Sequence, residues 1–85
     1  MIVIQTDDFE RSFRRLPKTT QRLYVIQQER LQENRRDPRL HIKKVYGLPD
    51  VFSFRITRVY RAFFYFQNPD AVIIFDVDHR KDVYR

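Results

Sequence analysis

The chain has no cysteine, no tryptophan and only one glycine. Without cysteine there are no disulfides, no thiolate nucleophile and no cysteine-based zinc site, and the compartment stays open, with a reducing one compatible. With Gly47 as its sole glycine it has neither a P-loop nor the dinucleotide fingerprint, because both need several glycines for close backbone approach to phosphate. No nucleotide or other small-molecule cofactor is expected. Two histidines and scattered aspartates have no metal-ligand spacing, so no metal is expected either. Long apolar runs are also missing. Met1-Ile2-Val3-Ile4 is soon followed by Asp7 and Asp8, too short and wrongly flanked for a secretory signal or membrane span, so a cytoplasmic protein without a membrane partner is expected.

What is present is aromatic and basic. Eight Phe and five Tyr in 85 residues give large rings to a core that is otherwise small, enough for one domain over residues 1–85. Lys and Arg number 17 against 11 Asp and Glu, a net charge of +6. Such a surplus attracts polyanions at long range and makes their binding salt-dependent. The plain alternative is a basic surface with no specific partner.

The periodicity predicts β-α-α-β-β-β. Ile2 to Gln5 reads as a short strand, and Thr6-Asp7-Asp8 as a helix start with Asp7 and Glu10 in capping-box spacing. Phe9, Phe13 and Leu16 share one helical face. After Pro17, Thr19-Thr20 offers a second N-cap to a helix whose period is carried by Leu23, Ile26, Gln27, Arg30 and Leu31 and which ends near Asn34. Leu40 to Tyr46 is ambiguous, and Gly47-Leu48-Pro49-Asp50 is a turn. The period then changes to two. Phe52, Phe54 and Ile56 face the core, so Arg55 faces away from it; a second strand runs from Val59 or Tyr60 to Gln67 and a third from Ala71 to Val77. The fold class is α+β: a small antiparallel sheet with an N-terminal αα-hairpin on one face and the first strand added at an edge.

Arg55, Arg61 and Arg80 lie at strand positions or strand ends, where they can converge on one sheet face and hold a phosphate with planar, permanently charged forks. The structural alternative for Arg61 is an ion pair with Asp76 or Asp78 on the next strand. His79 is the group beside these arginines whose ordinary pKa permits proton transfer both ways near neutrality, or else it is a turn residue. His41 stands beside Lys43 and Lys44 in the ambiguous segment. Tyr84 either packs on the sheet or stacks on an unpaired base.

The helical Leu16-Pro17-Lys18, the Lys44-Val45-Tyr46-Gly47-Leu48-Pro49-Asp50 turn, the Tyr60-Arg61 strand and the closing His79-Arg80-Lys81-Asp82-Val83-Tyr84 together resemble the RelE/ParE toxin superfamily of bacterial and archaeal toxin–antitoxin systems, and more closely its RelE ribonuclease branch. That resemblance implies the RelE/ParE fold and a type II toxin acting as a ribosome-dependent mRNA endonuclease in the A site. In such an mRNA interferase the RNA's own 2′-hydroxyl attacks the adjacent phosphate, leaving a 2′,3′-cyclic phosphate and a 5′-hydroxyl. It also implies neutralisation by an acidic cognate antitoxin. By resemblance Arg61 stabilises the phosphate, Arg80 stabilises charge or protonates the leaving group, Tyr84 stacks on the substrate base, and Arg55 stands where the enzyme branch has a basic strand residue. Lys43, Lys44, Arg58 and Lys81 supply further cations for RNA. Ser53 stands where RelE itself has a lysine, which leaves His79, Lys43 or Lys44 as the candidate general base. The Thr57-Arg58-Val59 connection is one residue shorter than in RelE and lacks its usual glycine or aspartate. Two alternatives remain open: a ParE-like toxin that inhibits DNA gyrase without cutting, and a catalytically silent binding protein of the same fold.

Overall fold

Thr6 ends the first strand and starts the first helix, its hydroxyl accepting the Phe9 N–H at 3.1 Å while its backbone N–H donates to the Ile74 carbonyl. The computed structural model describes residues 1–79. Strand β1 (Ile2–Gln5) is followed by α1 (Asp7–Arg14), α2 (Lys18–Glu33), a 3-10 turn at Pro38–Leu40, a two-residue strand β2 (Lys43–Lys44), β3 (Phe52–Arg55), β4 (Tyr60–Asn68) and β5 (Ala71–His79). The sheet order is β1-β5-β4-β3-β2. β3, β4 and β5 form the expected antiparallel meander, and β1 lies parallel to β5 at one edge.

Sequence-based expectation and structure differ in four places, the first being that Thr6, and not Asp7 of the expected Asp7/Glu10 box, caps α1. The ambiguous segment becomes the 3-10 turn and β2, so the described sheet has five strands. α2 starts at Lys18 behind Pro17, with no side-chain cap, so neither Thr19 nor Thr20 caps it. Its buried face is Thr20, Tyr24, Gln27 and Leu31, whereas Leu23 and Ile26 are 44% and 43% exposed. Aromatic packing sets that rotation. Tyr24 lies 5.0 Å from the Phe9 ring, 5.2 Å from Phe13 and 5.9 Å from Phe54, centroid to centroid. Each such ring stabilises by about 1.5–3 kcal/mol through burial, more than a partly covered Leu or Ile on the other face returns. Burial also pushes the Tyr24 phenol above its ordinary pKa, partly offset by a hydrogen bond from Gln5, so this tyrosine is neutral.

Period-two alternation divides the sheet. Phe54, Ile56, Ala62, Phe64, Val72, Ile74 and Val77 pack in the core with Phe9, Tyr24, Leu31 and Leu40. Ser53, Arg55, Arg61, Phe63 and Tyr65 alternate with those positions and so take the opposite face. On β5, Phe75 is an extra residue between the pairs Phe63↔Asp76 and Phe64↔Ile74. This bulge puts Phe75 against the rings of Phe63 and Tyr65, at 6.4 and 5.8 Å. The face away from the helices thus has arginines at the β3–β4 hairpin end and aromatic rings farther along.

Candidate functional site

Pairing aligns Arg55 on β3, Arg61 on β4 and Asp78 on β5 in one row across three strands. Arg55 and Arg61, directly opposite each other on neighbouring strands, repel, while Asp78 pairs with Arg61 from its other side, so the row holds two cations and one anion. The two arginines are held very differently.

Arg61 is 1% exposed. Its Nε donates to the Ser53 hydroxyl at 2.8 Å, and Nη2 donates to the His41 carbonyl and, at 3.4 Å, to the Ser53 carbonyl. His41 takes the left-handed conformation, φ 47° and ψ 50°, as it closes the 3-10 turn. Ser53 is fully buried and lies opposite Lys43. Arg61 therefore ties the centre of β4 to β3 and to the segment entering β2. A buried guanidinium is tolerable because its donors are met in this way. Arg61 shares a row with Arg55, as the sequence suggests, but its fork is turned into the protein. A lysine at position 53 would bring a second charge to the same enclosure; the serine hydroxyl accepts from Arg61 instead.

Arg55 is half-buried, and its Nε is a buried donor without a hydrogen-bond partner among the described residues. Buried donors are rarely left in that state, and a charged one on a half-buried side chain is suited to an anion. Its backbone is fixed independently of the fork. The Gln27 amide reaches out of α2 to donate to the Arg55 carbonyl at 2.7 Å and the Arg39 carbonyl at 2.9 Å, while Gln27 Oε1 accepts from Arg30. Gln27 was legible only as part of a helical face, and neither its burial nor its partners could be read from period.

The hairpin that turns Arg55 toward Arg61 is held by Thr57. Its hydroxyl accepts the N–H groups of Val59 and Tyr60, both at 3.1 Å, and Ile56 N–H donates to the Tyr60 carbonyl at 3.0 Å. A threonine thus closes the shorter turn locally, as an aspartate can. Arg58 is exposed at its tip.

Lys43 and Lys44 are exposed, and consecutive strand positions send them to opposite faces; Lys43, paired with Ser53, takes the Arg61 side, and Lys44, paired with Phe52, takes the other. The His79 backbone pairs with Tyr60, at the Arg55–Arg61 end of the sheet. Arg80, Lys81 and Tyr84 lie outside the described residues. Among the described residues no group of three His, Cys, Asp or Glu could hold a metal ion, and no helix is long and apolar enough to cross a membrane.

Comparison with known proteins places this architecture. A family model described as ParE toxin of type II toxin-antitoxin system, parDE, matches residues 3–84. No curated protein sequence matches. Among solved structures, the chain is similar to one in a RelB–RelE antitoxin–toxin complex from Methanococcus jannaschii, with 23% identity, TM-score 0.76, and coverage of 95% of this chain and 94% of that one. It is similar to a YoeB/ParE toxin from Agrobacterium tumefaciens at 11% identity and TM-score 0.75, covering 93% and 98%. A chain of the toxin–antitoxin complex RelBE2 from Mycobacterium tuberculosis is 26% identical, with TM-score 0.69 and coverage of 93% and 96%.

Proposed function

The chain belongs to the ParE toxin family of type II toxin–antitoxin systems, and from that premise we propose that it is a ribosome-dependent mRNA endonuclease held in check by an acidic cognate antitoxin. The observation that carries this reading is the half-buried Arg55 fork, with an orphan donor, directly opposite a second arginine. A phosphate on the Arg55 fork offsets the repulsion between two arginines on neighbouring strands. Arg55 contacts the scissile phosphate, Arg61 adds fixed charge from beneath and positions Ser53 and His41, and Arg58 and Lys43 attract the backbone on either side. Arg80 and Tyr84 complete the set by stabilising the leaving oxygen and stacking on the base, with His79 or Lys43 moving the proton.

Such a site accelerates a reaction already latent in RNA. The 2′-hydroxyl oxygen attacks the adjacent phosphorus, the bond to the 5′-oxygen breaks, and the products are a 2′,3′-cyclic phosphate and a 5′-hydroxyl. The protein contributes alignment and charge stabilisation, with no covalent intermediate.

One observation favours the gyrase-inhibiting alternative: Arg61, part of the proposed set, is internally hydrogen-bonded and hidden from solvent. The two readings separate in one experiment. Protein added to a translating extract should cut message within the reading frame, while gyrase supercoiling at the same protein concentration continues. Intact message with blocked supercoiling would transfer the assignment to the gyrase reading. The partner is tested by co-expression with an adjacent gene for a small acidic protein, and co-elution in size-exclusion chromatography is expected.

A further inference from the structure

From the Asp78 end of the arginine row to two strand positions beyond it, the turn between β2 and β3 borders an open cleft of about 250 Å³ on this sheet face. Val45, Tyr46 and Leu48 form one wall, Phe63 and Phe75 line the sheet side, and Asp76 and Asp78 supply the charged groups. The turn is built to hold that wall. Val45 is buried, its N–H donates to the Val51 carbonyl at 2.9 Å, and Leu48 and Val51 are linked back by further backbone bonds. Gly47 provides the positive φ, +82°, that reverses the chain. At the end of this pinned turn, Tyr46 is 100% exposed and Leu48 51% exposed. A ring displayed so fully on a fixed support gains nothing for the fold.

We propose that this cleft is a base-binding subsite, taking one unpaired RNA base that carries an amino group on its Watson–Crick edge. The proposal rests on the RNA reading and adds a substrate-selecting site to it. Three features choose this occupant. The fully exposed Tyr46 ring gives a base its stacking surface, with the nearly buried Phe63 as the apolar floor. The volume, about 250 Å³, suits one ring system and a little solvent. The lining charges are carboxylates, which accept from amino groups and repel the carbonyl-rich edge of uracil. Asp76 is pinned for this role: its Oδ1 accepts from Ser12 of α1 at 3.2 Å and from the Val77 N–H at 2.8 Å. Phe63 lies one strand over and two residues along from Arg55, about 8 Å, and Asp76 lies two strands over, about 12 Å, so a phosphate on Arg55 leaves the base of a neighbouring nucleotide within reach of the cleft.

Two measurements on the intact chain test this. In the first, ribosomes are programmed with messages varied one base at a time around the scissile phosphate. Wild type should cut about fivefold or more slowly when uracil replaces an amino-bearing base at one position. Tyr46→Ala should slow cutting of the preferred message about tenfold, Tyr46→Phe should restore most of it, and Asp76→Asn, which now offers a donor, should erase the discrimination against uracil. In the second, short single-stranded RNAs are titrated at low salt, where the same base preference and the same Tyr46 dependence should appear. Cutting that ignores both the base and Tyr46→Ala removes the subsite while the nuclease reading stands. Base-dependent binding through Tyr46 without any cutting keeps the subsite and removes the nuclease reading. If the variants leave both RNA measurements unchanged but weaken antitoxin binding, the cleft is a pocket for a cationic protein side chain and the proposal is overturned.

Discussion

Replacing Arg61 by alanine takes a charged donor from a 1% exposed position and leaves the Ser53 hydroxyl and the His41 carbonyl without it. Hydrogen bonds to charged groups contribute about 1.5–3 kcal/mol each, so the two strongest contacts together amount to about 3–6 kcal/mol. That is a large share of the roughly 4–13 kcal/mol available to a domain of this size, and it corresponds to a fall in Tm of about 12 °C or more. Arg55→Ala should behave in the opposite way. Its Nε has no partner among the described residues, its carbonyl keeps the Gln27 bond whatever the side chain, and its removal relieves repulsion with Arg61. A change within about 1 kcal/mol of either sign follows. Urea unfolding monitored by far-ultraviolet circular dichroism measures both variants. The reasoning fails if Arg61→Ala unfolds within about 1 kcal/mol of wild type, or if Arg55→Ala costs as much as Arg61→Ala. For activity, the consequence is that cleavage lost in Arg61→Ala counts as catalytic only in protein shown to be folded. Arg55→Ala should lose activity about 10²-fold in a fold that is intact, the usual effect of deleting one preorganised donor to developing charge.

Other elements make separate predictions. Gln27→Leu keeps the volume but strands the carbonyls of Arg39 and Arg55, which should cost about 2–4 kcal/mol by urea unfolding and reduce cleavage through Arg55; an effect below about 0.5 kcal/mol would exclude this role. Thr57→Val removes the acceptor for two turn N–H groups and should destabilise by about 1–2 kcal/mol, with Thr57→Asp recovering most of it in the same assay. Asp37 caps the 3-10 turn, and the hydrogen bonds from the Arg39 side chain and N–H lower its pKa from 3.8 to about 2. Because the folded-state value is depressed, its contribution is present above about pH 4 and is lost as pH falls toward 2. The Tm advantage of wild type over Asp37→Asn should therefore shrink between pH 5 and pH 2, and a constant difference would contradict the assignment.

Strand and helix order was legible because this chain changes period cleanly: Phe52, Phe54 and Ile56 alternate where the helices had turned every three or four residues. The start of α1 at Thr6-Asp7-Asp8 was legible from a local pattern, but the cap was not: it is Thr6, one residue before the Asp7 of the expected Asp7/Glu10 box. The rotation of α2 was not, because Leu23 and Ile26 are as apolar as the buried residues, and tertiary packing of Tyr24 against Phe9 and Phe54 decided the face. The site followed the same division. Arg55 and Arg61 could be placed on one sheet face from strand alternation alone, whereas the direction of the Arg61 fork depended on a carbonyl twenty residues away at His41, turned by a left-handed φ. Tyr46 read as one letter of a turn, and its full exposure emerged only when the turn folded over Phe63 and Phe75.

The central claim is that the substrate's own 2′-hydroxyl is the nucleophile in a cut made on the ribosome. The most direct measurement uses programmed ribosomes carrying a message with a single 2′-deoxy substitution at the nucleotide 5′ to a mapped cleavage point. The all-ribose message should be cut to a 2′,3′-cyclic phosphate and a 5′-hydroxyl, and the substituted message should stay intact at that point. Cleavage of the substituted message at an undiminished rate, or no cleavage of either, would contradict the claim.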